Sequence, residues 1–482
     1  MVVMANPDHL AHLAAGDWNQ WRAAHPTLAP DLIDADLKGA DLRALDLSKS
    51  HLRGADLSGA RFDGANLTRA ILEAAVLTNA CFAGATLDHV RLDFLDLNGA
   101  DLSRASLHGV SFRGANLTQA NLRGCDMSQS QLESAIFDEA DLSGAILKGA
   151  SLRGARFEGA VMRGIQAQSA SLEGAELIGL SMEGADFSNA QADNVQLRGS
   201  RLARANFTEA ILRGANLHDA SLTEAIFDRA QCEGASLSRS DLERASLVRT
   251  NLERADLRGA SLIGAVFDGC TLSGAQLAEL DFRSPTLGRL SFAGANLKKA
   301  IFNRCELRTS DFREADLEQA DLRHANLEGA NLSSANLAGA TFRHATLKQA
   351  NLTEASGGSV DLSGTSLILV TARRATLIGA DLRFADAVGI DLEQADLRWS
   401  DLRNADLTKG NLLNTRLWGS RLRNTKLPPE MGHWKIILAI SRLFRLIGMK
   451  AEKSKAAREQ RRIREVAELV REREDARKRR AR

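Results

Sequence analysis

The chain contains no tyrosine, six prolines and five cysteines, and aromatic residues make up 5% of it. Rings this scarce cannot fill several conventional cores, although 482 residues would ordinarily suggest about three domains. The cysteines (Cys81, Cys125, Cys232, Cys270 and Cys305) are odd in number and show no CxxC spacing. That argues against a disulfide framework and fits reduced thiols. No uncharged apolar run reaches the ~18 residues of a membrane-spanning helix. Residues 1–5 lack the basic-then-apolar start of a secretory leader, so a cytoplasmic location is expected. An excess of one charge is missing too, because 62 Lys and Arg face 61 Asp and Glu for a net charge of +1. With 44% hydrophobic residues, the chain is no disordered polymer either.

What the chain has instead is a five-residue period. Of the 80 positions reached from Leu32 to Leu427 in steps of five, 57 are Leu and 14 are Phe. Two residues earlier, Ala occupies 51 of the 80, and most other occupants are small or β-branched, such as Ser50, Cys125, Val195 and Thr250. Ala and Leu two residues apart point the same way from an extended segment. The three remaining positions carry charge, amide, hydroxyl or glycine and read as facing solvent. A helix stripe would space its apolar residues by three and four, so the pattern is not helical. The unit A-(D/N)-L-x-x, as in Ala40-Asp41-Leu42-Arg43-Ala44 and Ala65-Asn66-Leu67-Thr68-Arg69, resembles the pentapeptide-repeat family over roughly residues 30–428. The resemblance implies an all-β solenoid, a right-handed quadrilateral β-helix with one pentad on each side.

Four pentads per coil would stack residues 20 apart, and a wide layer then needs wide neighbours. Phe at the core position recurs at that offset six times (62–82, 137–157, 187–207, 207–227, 282–302 and 292–312). It recurs once at offset 15 (267–282) and twice at offset 25 (112–137 and 267–292). Within pentads, Ile165 precedes Ala167 and Val370 precedes Ala372, which conserves volume. Eighty pentads then make about 20 coils, a rod about 96 Å long at ~4.8 Å per coil. Each coil touches only its neighbours, so both ends require caps. Pro285 at a core-facing position and the stretch Ser356-Gly357-Gly358-Ser359 are expected soft points.

The flanks supply the caps. Residues 1–29 read as a helical N-terminal cap, 30–428 as the β-helix, and 429–482 as an amphipathic and then charged helical tail. Asn6 before Pro7 signals a helix start, with Leu10 and Leu13 on one side and Gly16 as the stop. Asp17 with Gln20 forms a capping-box pattern for a second helix carrying Trp18 and Trp21. The stretch Asp17-Trp18-Asn19-Gln20-Trp21-Arg22 also resembles leader segments that precede such repeats. After Pro428-Pro429, residues 434–449 place Trp434, Ile436, Ile437, Ile440, Leu443, Phe444 and Ile447 on an apolar face opposite Lys435, Arg442 and Arg445. Residues 428–482 hold 17 basic and 8 acidic residues, which leaves 45 basic against 53 acidic in the rest. Neutrality therefore hides an acidic rod with a basic tail. Three uses of the amphipathic stretch compete: docking on the rod, pairing with a second copy in a homodimer, and lying on an anionic membrane surface. Ile378, Trp399 and Trp418 are outward hydrophobes about one coil apart, and such a stripe marks a contact site.

Catalysis finds little support, because the ten His form no HExxH and no phosphate loop or serine-nucleophile motif occurs. No metal or cofactor site is expected. His324 and His344 would stack one coil apart, but two imidazoles without a third ligand are a weak centre. Cys81 is the one thiol at an outward position. Two charged rows remain. Residues 53, 73, 93 and onward to 253 read R-E-D-R-E-R-E-D-R-E-E, an alternation that would neutralise itself along the axis. Arg323, Arg343, Arg383, Arg403 and Arg423 form a second row, interrupted at Ser363, that would either grip an acidic partner or pair with the preceding Asp321, Asp381 and Asp401. The expected function is a non-enzymatic scaffold, a rod for an unidentified protein partner, with no direct nucleic-acid binding. The alternative comes from the resemblance, since some members of the family mimic B-form DNA and modulate type II topoisomerases such as gyrase.

Overall fold

The period dictates the backbone. In each pentad an extended residue pairs with the coils on either side, the next carries Leu or Phe inward, two residues turn the corner, and a small residue returns to the interior. The computed structural model describes residues 5–283 and 287–429. Parallel bridges run from Asp31 with His51 to Asp406 with Lys426, and partners in these bridges are 20 residues apart. A lap of 20 is four pentads and therefore four sides. On one side, Leu52 N–H donates to Ile71 O at 2.8 Å and Ile71 N–H donates back to Ser50 O at 2.9 Å. Ala55 N–H closes the corner on Leu52 O at 3.1 Å, with φ +68° at Gly54, the type II signature. Residues such as Arg204, Glu209 and His324 occupy the same left-handed corner, which costs a side chain about 1 kcal/mol that the ladder must offset.

The interior confirms the stacking arithmetic. All six Phe pairs at offset 20 lie nearly parallel, with centroids 4.6 to 5.2 Å apart. The pair at offset 15, Phe267 with Phe282, meets edge-on at 6.4 Å. Ile165, Ala167, Val370 and Ala372 are all buried, so the swapped sizes fill one another's space. Polar residues at the small position mostly carry a partner, although the buried hydroxyls of Ser50 and Ser310 find none among the described residues. The hydroxyls of Ser130, Thr250 and Thr365 donate to the carbonyls of Leu107, Phe227 and Phe342 one coil earlier, at 3.0, 2.8 and 2.9 Å. Unpaired, each buried hydroxyl would be destabilising. The stretch 356–359, expected to be soft, keeps its ladder: Gly357 N–H donates to Thr376 O at 2.7 Å. Leu377 and Val360 fill the space that a core side chain at 357 would have taken. Pro285 lies outside the described residues, as do residues 434–449 and the charged tail.

Two helices precede the first coil: α1, Pro7–Ala15, and α2, Trp18–Ala24. Asn6 caps α1 by accepting from Asp8 N–H at 2.9 Å, and Gly16 ends it at φ +74°. The capping box at α2 does not form. The Asp17 side chain makes no cap bond and is paired instead with His12 Nδ1 at 2.9 Å. A neighbouring imidazole outcompetes the cap because the turn between the helices brings it within reach.

The helices stand in for a missing coil. In the body, the N–H and carbonyl groups of each coil's lower edge are met by the coil before it. Here Asp31 N–H donates to His9 Nδ1 at 2.9 Å, and Asp46 N–H donates to Asn19 Oδ1 at 2.9 Å. Asp46 O accepts from Trp18 Nε1 at 2.8 Å, and Ala44 O accepts from Asn19 Nδ2 at 3.0 Å. Arg22, only 3% exposed, spreads its guanidinium over the carbonyls of Asp46, Ser48, His25 and Leu28. Trp18 is fully buried over the first apolar layer.

Candidate interaction surface

The surface is written by three positions per pentad: the bridge residue and the two corner residues. An Asp at the bridge accepts the N–H two residues on, which fixes the corner. If that next residue is Arg, its guanidinium folds back on the same carboxylate. Arg323 meets Asp321 through Nε at 2.8 Å and Nη2 at 2.7 Å. Arg383 with Asp381 and Arg403 with Asp401 repeat the fork, their Nη2 atoms 2.6 and 2.7 Å from the carboxylate. The Arg403 guanidinium holds the Asp401 carboxyl below its ordinary range. At Asp321 and Asp381 partial burial pushes the carboxyl up, and the arginine fork and backbone N–H more than offset it. Arg343 and Arg423 make no ion pair among the described residues and are exposed. The row thus holds three guanidiniums engaged within their own pentads and two that are not.

The other row closes along the axis. Arg113 pairs with Glu133 at 3.3 Å, Arg153 with Glu173 at 2.8 Å, and Arg213 with Glu233 at 3.6 Å, each pair joining successive coils. On this side the alternation leaves no long acidic face.

Trp399 and Trp418 are 50% and 53% exposed, and their rings meet edge-on at 4.5 Å. They do not sit in one column. Trp399 occupies the left-handed corner, at φ +63°, and Trp418 the outward position before the next corner. The indole of Trp399 leans over Gly419, where a Cβ would collide with it. Ile378 occupies the same corner position as Trp418 two coils earlier and is half-buried. Sequence reasoning passed over Leu369, Phe384 and Leu413, which are 52%, 66% and 59% exposed near this end, and Phe94, which is 82% exposed. The available signal was their place at corner positions of the pentad. Phe94 and Leu369 follow the same rule as Trp399, each lying over a glycine 20 residues on. The apolar segment carrying Trp434, Ile437, Ile440, Leu443, Phe444 and Ile447 lies outside the described residues.

His324 and His344 stack at 5.4 Å, and no group of three metal-ligating side chains occurs among the described residues. Burial pushes the Cys81 thiol up, and Asp63 and Asp101 push it further, so it is disfavoured as a thiolate. Burial pushes Cys125 and Cys270 to about 12. No helix among the described residues is long and apolar enough to cross a membrane.

A stack of five-residue units closing a four-sided lap every 20 residues defines a class of solenoid. Family profiles agree: the profile described as pentapeptide repeats in eight copies matches segments between residues 31 and 427, and a pentapeptide repeat region matches 235–312. The chain belongs to the pentapeptide repeat family, whose fold is the right-handed quadrilateral β-helix. Among solved structures it is similar to HetL, a pentapeptide repeat protein involved in heterocyst differentiation regulation from the cyanobacterium Nostoc sp. strain PCC 7120. The two are 28% identical over 57% of this chain and 97% of HetL, with a TM-score of 0.20. A pentapeptide repeat protein of the Arabidopsis thaliana thylakoid lumen is 30% identical over 26% of this chain and 68% of its own, with a TM-score of 0.13. QnrB1, a plasmid-mediated fluoroquinolone resistance protein, is 21% identical over 51% of this chain and 90% of its own, with a TM-score of 0.17. Superpositions this poor say nothing of a shared partner. No curated protein matches the chain.

Proposed function

We propose that the chain is a cytoplasmic, non-enzymatic scaffold, a rod of about 20 coils that holds rows of side chains at fixed spacing for a protein partner. The observation that carries this reading is the Trp399–Trp418 pair, half-exposed on a surface that otherwise neutralises most of its charge within pentads or between coils. Apolar area of this kind marks a contact site. The first occupant is the chain's own amphipathic segment, residues 434–449, which begins a few residues after the last coil. Self-association through that segment and attachment to a membrane surface are the competing uses.

Deleting residues 431–482 tests the assignment. Docking on the rod predicts a red shift and greater quenching of the remaining tryptophan emission, with an unchanged monomer mass by light scattering. A halved mass instead assigns the segment to a dimer. Unchanged mass and emission together would defeat both. The DNA-mimic alternative is tested by a gyrase supercoiling assay with and without a poison. The axial pairs Arg113–Glu133, Arg153–Glu173 and Arg213–Glu233 weigh against it, and no effect at high protein excess is the expected result.

A further inference from the structure

The surface groove at Arg304 stands apart from the tryptophan end. It has a volume of about 530 Å³ and is lined by Arg283, Asn303, Arg304, Arg323 and His324, with no carboxylate in its walls. Arg283 and Arg323 are held from outside the groove by their forks to Asp281 and Asp321, with Nη2 contacts of 2.5 and 2.7 Å. A fork through Nε and Nη2 leaves the Nη1 donors of each guanidinium uncommitted. Arg304 sits between them at a left-handed corner, φ +64°, and makes no ion pair among the described residues. His324 follows at the next corner, stacked on His344. Elsewhere exposed arginines commonly meet an acid in the neighbouring coil, as Arg113 does with Glu133.

We propose that this groove binds a chain of phosphate groups, free or carried by a nucleotide. Guanidinium groups match phosphate oxygens in geometry as well as charge. Arg283 and Arg323 are two coils apart, about 10 Å along the axis, with Arg304 midway. A single phosphate reaches one or two of the three, and a triphosphate reaches all of them. The forks position the outer two guanidiniums before a ligand arrives, so little side-chain freedom remains to be lost on binding.

The test is titration calorimetry of the full chain with inorganic tripolyphosphate, repeated with a nucleoside triphosphate. Arg304→Glu should weaken binding at least tenfold. Arg69→Glu makes the same charge change at an equivalent corner far from the groove and should alter binding less than twofold. Arg304→Gln, which adds no charge, provides a second variant should Arg304→Glu fail to fold. Tighter binding of the nucleotide than of the bare chain assigns the source to a nucleotide, and equal or weaker binding assigns it to free phosphate. Absence of binding by both probes at millimolar concentration overturns the proposal. So does equal weakening by Arg304→Glu and Arg69→Glu. The proposal also fails if binding survives Arg304→Glu and disappears when Arg477, Lys478, Arg479 and Arg480 are reversed in the basic tail.

Discussion

The two ends of the rod solve the same problem differently. At the N-terminal end, helical side chains replace the backbone of an absent coil: His9, Trp18, Asn19 and Arg22 supply the donors and acceptors that a preceding lap would have supplied. At the other end, Leu422 and Leu427 are half-buried, and the Trp399–Trp418 pair stays open on the side wall. A parallel ladder has no natural stop, so every end must be closed or used. The first end is closed by these helical side chains. Among the described residues the second leaves Leu422 and Leu427 only partly covered, and it is there that the proposed contact would form.

The largest break in that contrast comes from Arg22→Ala. One guanidinium satisfies carbonyls from Asp46, Ser48, His25 and Leu28, and its removal strands those of Ser48 and Leu28, while Asp46 O keeps Trp18 Nε1 and His25 O keeps the N–H of Leu28. A loss of about 2–4 kcal/mol is expected for the first coil. Because coils interact with nearest neighbours, the damage stays local. Hydrogen exchange should rise by orders of magnitude at the amides of Leu32 and Leu47 and remain unchanged at those of Leu202 and Leu217. Uniform destabilisation along the rod would contradict the nearest-neighbour picture.

Much of the architecture is legible in the residues alone. The Leu and Ala columns, the 20-residue lap and the six Phe stacks follow from one constraint, that identical backbone units lie directly above one another. The fork between Arg323 and Asp321 was readable as one of two alternatives, since bridge and corner residues are neighbours on one side. The role of Arg22 was not, because bonds to carbonyls leave no trace in residue identity. The capping box at Asp17 was misread for a related reason: a local motif says nothing of the imidazole that folding brings beside it. The leaning of corner side chains over glycine was hidden because it couples residues one lap apart, and it decides that Trp399 and Trp418 touch.

A smaller effect sharpens the contrast through glycine. Gly39 and Gly419 both adopt left-handed corners, at φ +63° and +78°, near opposite ends. Around Gly39 a Cβ would meet nothing within 4 Å, whereas at Gly419 it would collide with the Trp399 indole. Gly39→Ala should therefore lose only the backbone term, about 1 kcal/mol. Gly419→Ala adds displacement of the indole and should cost about 1–2 kcal/mol, with a changed Trp399 emission maximum. Equal costs and unchanged emission would remove the leaning contact from the account.

The smallest expected effect is electrostatic and separates local from lap-to-lap pairing. Asp41 and Asp406 are each lowered from the usual carboxylate range to about 2, the first chiefly by Arg43 and the second chiefly by Lys426, with Thr408 adding to it. A carboxyl depressed by folding stabilises the native state above its unfolded value near 4, and that contribution is lost as pH falls toward about 2. Both groups face water, so each contributes little to overall stability. Their partners differ in kind. Arg43 lies two residues away in the same pentad, and Lys426 lies 20 residues on in the last lap, at 2.7 Å. Carboxyl-detected nuclear magnetic resonance should show Asp406 moving back toward its ordinary value in Lys426→Met while Asp41 stays put. Loosening the last lap by Gly419→Ala should move Asp406 the same way by a smaller amount, because its partner belongs to that lap. If Asp406 is unaffected by either change, Thr408 and the local backbone govern it, and the final coil is not tied to its neighbour through this pair.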